Sequence, residues 1–200
     1  MLVPGLWMPA LAMGFLGAYL ASRGFDVRLF GYRGRSPLEA NVERLARFAA
    51  RAAPGGRTHY VGHSLGGVLI LEALGRHPDI PAASAVLIGS PVRGCIAGRR
   101  FGRARLGRWM MGACGPLWHE RTPAWRRAAP LGVIAGTLPL GLGRVLGRLP
   151  GPNDGVVCVS ETAVEGMRSR LLVPLGHSSL IVSRRVARLV RRFLAEGRFE

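Results

Sequence analysis

The pentapeptide Gly62-His63-Ser64-Leu65-Gly66 sets one serine between two glycines in a G-x-S-x-G pattern. The residues before it, Thr58-His59-Tyr60-Val61, have strand character, and Leu65 to Leu74 reads as an apolar helix. A serine on so tight a strand-to-helix turn is held out at the strand end, beside the N-terminus of the following helix. Glycine two residues to either side lets the two elements approach closely. The chemistry this suits is nucleophilic attack on a carbonyl carbon, because a helix N-terminus stabilises the negative charge that develops on the oxygen. The bland alternative is a glycine-rich turn whose serine merely caps a helix. A hydroxyl also needs an imidazole to take its proton and a carboxylate to orient that imidazole. The chain offers 5 histidines and 11 acidic residues for those roles.

The elements that must position such groups alternate along the chain. Strands are expected at Met1–Val3, Phe25–Phe30, Thr58–Gly62, Ala85–Gly89, Leu131–Gly136 and Ser169–Leu175. Helices are expected at Pro9–Ser22, from the capping box Ser36-Pro37-Leu38-Glu39 to about Arg51, at Leu65–Leu74 and at Ser179–Ala195. The last of these carries Val182, Val186, Leu189, Val190 and Phe193 at helical spacing, with arginines over much of the rest. Short apolar strands alternating with amphipathic helices predict an α/β fold. It has a predominantly parallel central sheet of about six strands and helices on both faces. Ligands then sit at the carboxyl ends of the strands. The whole chain, residues 1–200, reads as one domain. Residues 91–130 break the rhythm with Trp109, Trp118, Trp125, Met110 and Met111, and read as a helical cap insertion or as an ordinary crossover.

Composition narrows the function classes. The chain has 200 residues, is 48% hydrophobic and 20% charged, and so can bury a core of its own. The net charge is +17, yet all 28 basic residues are arginine. Uniform arginine usage fits biased codon composition better than a phosphate-binding surface, so no specific nucleic-acid role is expected. The charge suits at most a weak association with anionic membrane surfaces. The three cysteines, Cys95, Cys114 and Cys158, lack metal-ligand spacing and read as reduced thiols of a cytoplasmic protein. A Cys95–Cys114 bridge in an exported form stays open. The apolar N-terminus has no leading positive charge and is interrupted by Pro4, Gly5 and Pro9, so it reads as part of the fold.

"GHSLGG", with the later "PNDGVV" and "GHSSL", resembles the α/β-hydrolase superfamily, more narrowly small bacterial lipases and esterases that include relatives of GPI-inositol deacylases. The resemblance runs from Leu2 to the last helix and implies a minimal member of that fold. It implies the chain order nucleophile, acid, histidine, hence Ser64 as nucleophile and His177 as base. His59 lies in the strand before the turn, His63 neighbours Ser64 and is expected to point elsewhere, His77 ends a helix, and His119 falls in the insertion. Three carboxylates fit the order: Asp154, Glu161 and Glu165. Asp154 lies in a Pro-Asn-Asp-Gly turn like the acid loop of the lipases, and Glu161 is the reserve. The oxyanion donors implied are the N–H groups of Leu65 and of Leu6, with Trp7 the neighbouring alternative. Family members often carry a histidine in that second loop, and Pro4-Gly5-Leu6 lacks one. The expected activity is hydrolysis of small-molecule or lipid-like carboxylic esters with no cofactor or metal. The alternatives are acyl transfer or thioester hydrolysis by the same residues, and a non-catalytic interaction protein.

Overall fold

The computed structural model describes residues 1–52, 57–114, 119–140 and 147–200. Five strands form one fully parallel sheet: β1 (Leu2–Val3), β2 (His59–His63), β3 (Ser84–Ile88), β4 (Leu131–Gly136) and β5 (Ser169–Val173), hydrogen-bonded in that order. Among the described residues six α-helices accompany them: α1 (Gly14–Ala21), α2 (Leu38–Ala52), α3 (Leu65–Arg76), α4 (Ile96–Phe101), α5 (Arg105–Met111) and α6 (Arg184–Glu196).

Alternation along each strand divides the core into two layers. Val3, Tyr60, Leu87 and Val133 face one side, where Val42, Leu45 and Ala49 of α2 and Leu69, Ile70 and Leu74 of α3 meet them. Leu2, Val61, Val86, Ile88 and Ile134 face the other, against Leu16 and Leu20 of α1 and Val186, Val190 and Phe193 of α6. Each Val, Leu, Ile or Phe side chain among them contributes about 1.5–3 kcal/mol by leaving water. Ser183 caps α6, its hydroxyl accepting from the Val186 N–H at 3.4 Å, and Gly197 ends the helix in a left-handed conformation with φ 72°.

Several predicted boundaries move. The expected strand Phe25–Phe30 is reduced to a single parallel bridge between Leu29 and Leu2, so the sheet has five strands instead of about six. The cause is Pro4. Leu2 donates to Arg28 O at 2.8 Å and accepts from the Phe30 N–H at 2.9 Å. The next donor in a parallel ladder would be residue 4, and proline has no N–H. The first expected helix splits into a 3₁₀ turn, Ala10–Met13, and α1. The last splits into a 3₁₀ turn, Ser178–Val182, and α6. Residues 91–130, expected to form an insertion or a crossover, contain α4 and α5, while Trp118 falls among residues 115–118, outside the described residues.

The topology fixes where a ligand belongs. From β1 the chain runs to the bridge at Leu29 on one side of that strand and returns through α2 to β2 on its other side. The connection leaving β1 runs to the Leu29 side and the one leaving β2 runs to β3, so the two diverge at the carboxyl ends of β1 and β2, where such sheets bind ligands.

Candidate active site

The turn at Ser64 is as tight as its sequence demands. Ser64 has φ 52° and ψ −125°, and Leu65 opens α3 directly behind it. Among the described residues only Ser64 and Trp7 combine a side chain with a left-handed φ, and they follow the carboxyl ends of β2 and β1. Such backbone costs on the order of 1–3 kcal/mol per residue and persists only where surrounding structure enforces it. A Cβ at Gly62 would lie 2.5 Å from the Gly67 Cα, and one at Gly66 would lie 2.2 Å from the Val3 carbonyl oxygen. Both glycines are therefore required by the crossing of strand and helix. The Ser64 N–H donates to Ile88 O at 2.9 Å, tying the turn to β3.

Asp154 is 1% exposed, and its environment is built by its own turn. Its Oδ1 accepts from the N–H groups of Val156 at 2.9 Å and Val157 at 2.7 Å. Its Oδ2 accepts from Nδ1–H of His177 at 2.7 Å, and its carbonyl accepts from the His177 N–H at 2.9 Å. Acid and imidazole are thus joined through both side chain and backbone, leaving Nε2 as the free imidazole nitrogen.

His177 and Ser64 share one rim. A Cβ on Gly89, the residue after Ile88, would lie 3.3 Å from Nδ1 of His177. The rings of His63 and His177 are 4.6 Å apart between centroids. Among the described residues no hydrogen bond joins the Ser64 hydroxyl to His177. In unliganded sites such contacts are often long and tighten only with substrate.

Leu6 and Leu65 flank Ser64 from two directions. Leu65 is the first residue of α3, and Leu6 follows Gly5, whose Cβ would lie 3.0 Å from that of Ser64. Neither backbone N–H is bonded within the described residues. Trp7 anchors the Leu6 loop by donating from Nε1 to Met110 O at 3.0 Å and by an edge-to-face contact with Phe101 at 5.7 Å.

The other candidates fall elsewhere. Glu161 has both carboxylate oxygens committed, Oε2 to the Cys158 N–H at 2.8 Å and Oε1 to the Ile96 N–H at 2.6 Å. It organises the start of α4, and burial raises its pKa. Glu165 is exposed. His59 hydrogen-bonds Ser84 at 2.8 Å at the amino ends of β2 and β3, His77 pairs with exposed Glu43 at 3.0 Å, and His119 is exposed. Cys95, Cys114 and Cys158 are unpaired buried thiols, so no Cys95–Cys114 bridge forms. Burial pushes the thiol of Cys95 up to about 12 and that of Cys114 up to about 11. Among the described residues no helix is long and apolar enough to cross a membrane.

No protein-family profile matches the chain, and no curated protein matches it in sequence. Solved structures do match it in shape. A mature lipase of Bacillus licheniformis is 17% identical, with a TM-score of 0.77, over 90% of this chain and 84% of its own. A metagenomic carboxyl esterase is 19% identical, with a TM-score of 0.70, over 98% and 75%. A monoacylglycerol lipase of Paleococcus ferrophilus is 18% identical, with a TM-score of 0.61, over 96% and 92%. The chain has the α/β-hydrolase fold. In that α/β-hydrolase framework, Ser64 stands at the turn between β2 and α3, and Asp154 and His177 lie on the loops that follow β4 and β5.

Proposed function

We propose that the protein is a serine hydrolase that cleaves carboxylic esters through Ser64, His177 and Asp154. The observation that carries this reading is the Asp154–His177 pair at the same rim as the strained Ser64 turn. Nε2 of His177 takes the hydroxyl proton as Ser64 Oγ attacks the ester carbonyl carbon. The N–H groups of Leu65 and Leu6 receive the oxyanion, each worth about 3–4 kcal/mol of barrier in comparable sites. His177 then gives the proton to the leaving alcohol, which departs and leaves an acyl group on Ser64. Water repeats the sequence and releases the acid. Asp154 holds the imidazole with Nδ1 protonated and stabilises its cationic form.

The surroundings favour an acyl substrate. Trp7, Leu106 and Trp109 are 48%, 66% and 62% exposed on the side of α5 and the Leu6 loop. Leu138 and Leu140, 39% and 54% exposed, follow β4 beside Gly176, the residue before His177. The similar structures named above are lipases and an esterase, which supports ester cleavage as the reaction class.

The test is hydrolysis of p-nitrophenyl esters of graded acyl length by the wild type and Ser64→Ala. The wild type is expected to turn over, and the variant to fall to the uncatalysed background. Equal rates for the two would remove the reading.

A further inference from the structure

His63 has no part in the reaction just described, yet it is among the most confined polar side chains in the protein. Its residue is 1% exposed. Its Nε2 lies 3.1 Å from the carbonyl oxygen of His177. Its ring packs on that of His177 at a 45° angle, with centroids 4.6 Å apart. Among the described residues its Nδ1 has no hydrogen-bond partner, and it lies 3.2 Å from where a Cβ on Gly5 would stand.

These contacts determine which nitrogen carries the proton. A carbonyl oxygen only accepts, so Nε2 must be the N–H donor, and Nδ1 is left as a buried lone pair. The opposite tautomer would set a lone pair against the carbonyl oxygen and bury an unused N–H as well. Burial, followed by the neighbouring His177, pushes the pKa of His63 down to about 3, so the ring stays neutral at working pH.

A buried orphan nitrogen is destabilising, and an apolar residue here would avoid that cost. What a polar ring gains is position. One side chain touches the Ser64 turn to which it belongs, the loop after β1 that carries Leu6, and the loop after β5 that carries His177. Among the described residues the other hydrogen bonds of His177 come from the Asp154 side, through Nδ1 and its own N–H.

We infer that His63 is a positioning residue: its Nε2–H donates to the His177 carbonyl and its ring buttresses the His177 imidazole, setting that imidazole relative to Ser64. The inference rests on the hydrolase reading given above. It assigns His63 no proton transfer and no contact with substrate.

Two variants separate the hydrogen bond from the packing. Gln in place of His63 can present an amide N–H near the position of Nε2, whereas Leu fills space without a donor. On p-nitrophenyl butyrate, His63→Leu is expected to lose kcat by about 10- to 100-fold, the scale of a small misplacement of a reacting group, with KM little changed. His63→Gln is expected to recover most of that loss. A folded His63→Leu with wild-type kcat, or a His63→Gln as impaired as His63→Leu, overturns the inference. If His63→Leu does not fold, ¹⁵N spectra of histidine-labelled wild-type protein decide. The Nε2–H tautomer at His63 supports the inference, and the Nδ1–H tautomer overturns it. Ser64→Ala keeps the two readings apart. An active Ser64→Ala sinks the hydrolase assignment, whereas an inactive Ser64→Ala beside a fully active His63→Leu sinks only the role of His63.

Discussion

The carboxyl-end rim and the face formed by α1 and α6 treat polar groups in opposite ways. At the rim, Asp154 and His63 are each 1% exposed, and His177 is tied to both of them. On the α1–α6 face, a groove of 550 Å³ is lined by Arg23, Arg185, Arg188, Arg191 and Arg192. There Arg192 bonds Glu196 at 3.2 Å and Arg23 lies over the Tyr19 ring at 5.4 Å, contacts that water and salt screen. The arginines dominate the net charge without organising a reacting centre. The proposed reacting centre lies instead at the rim, where the buried Asp154–His177 pair meets the strained Ser64 turn. Charge count and proposed chemistry thus sit in different parts of the molecule.

The largest expected effect is at the rim. Ser64→Ala should lose kcat by on the order of 10⁶-fold, as for removal of a nucleophile from a comparable triad, while circular dichroism stays native. Asp154→Asn should follow with a loss of about 10⁴-fold, because the amide favours the wrong imidazole tautomer. A loss confined to KM would contradict the role given to Asp154. Gly66→Ala tests the geometry beneath the chemistry. Its methyl would meet the Val3 and Pro4 carbonyl oxygens at 2.2 and 2.4 Å, and urea denaturation should show a loss of about 1–3 kcal/mol, the usual cost of overpacking.

His63 supplies a pH signature. Burial, followed by the neighbouring His177, pushes its pKa from the ordinary histidine value of 6.5 down to about 3. The unfolded chain therefore binds the extra proton first as pH falls. The stabilisation is complete above pH 6.5 and is lost toward pH 3, with a slope of up to about 1.4 kcal/mol per pH unit. Burial also lowers the pKa of His59, which adds to the slope in the wild type. The difference between wild type and His63→Gln isolates His63, and identical slopes would contradict its burial as a neutral ring. The smallest effect is expected on the basic face. Arg185→Gln and Arg188→Gln should change stability by no more than about 0.5 kcal/mol and leave kcat/KM unchanged. A marked loss of activity there would erase the contrast between the two regions.

Much of this was legible in the sequence because it depends on local rules. The G-x-S-x-G turn declares itself through the glycines that its backbone crossing requires, and β2 through β5 each centre on two or more consecutive apolar residues in a segment of strand length. The loss of the Phe25–Phe30 strand was harder to read. It turns on a missing donor at Pro4, in a different segment, that matters only once the two segments are paired. Asp154 was marked by its turn, but its advantage over Glu161 is a matter of space. Both are buried carboxylates that accept backbone N–H groups, and only one of them meets an imidazole. The place of His63 was hidden by its adjacency to Ser64. The sharp turn at Ser64 separates the two side chains, and the partner of His63 lies 114 residues away. Trp7 likewise finds its anchor 103 residues on, at the Met110 carbonyl.

The most direct test of the central claim is covalent labelling with a fluorophosphonate, with the modified residue located by peptide mass spectrometry. The account predicts one adduct, on Ser64, absent from Ser64→Ala and abolished or greatly slowed in His177→Ala. An adduct on another residue, or undiminished labelling of Ser64 without His177, would contradict it.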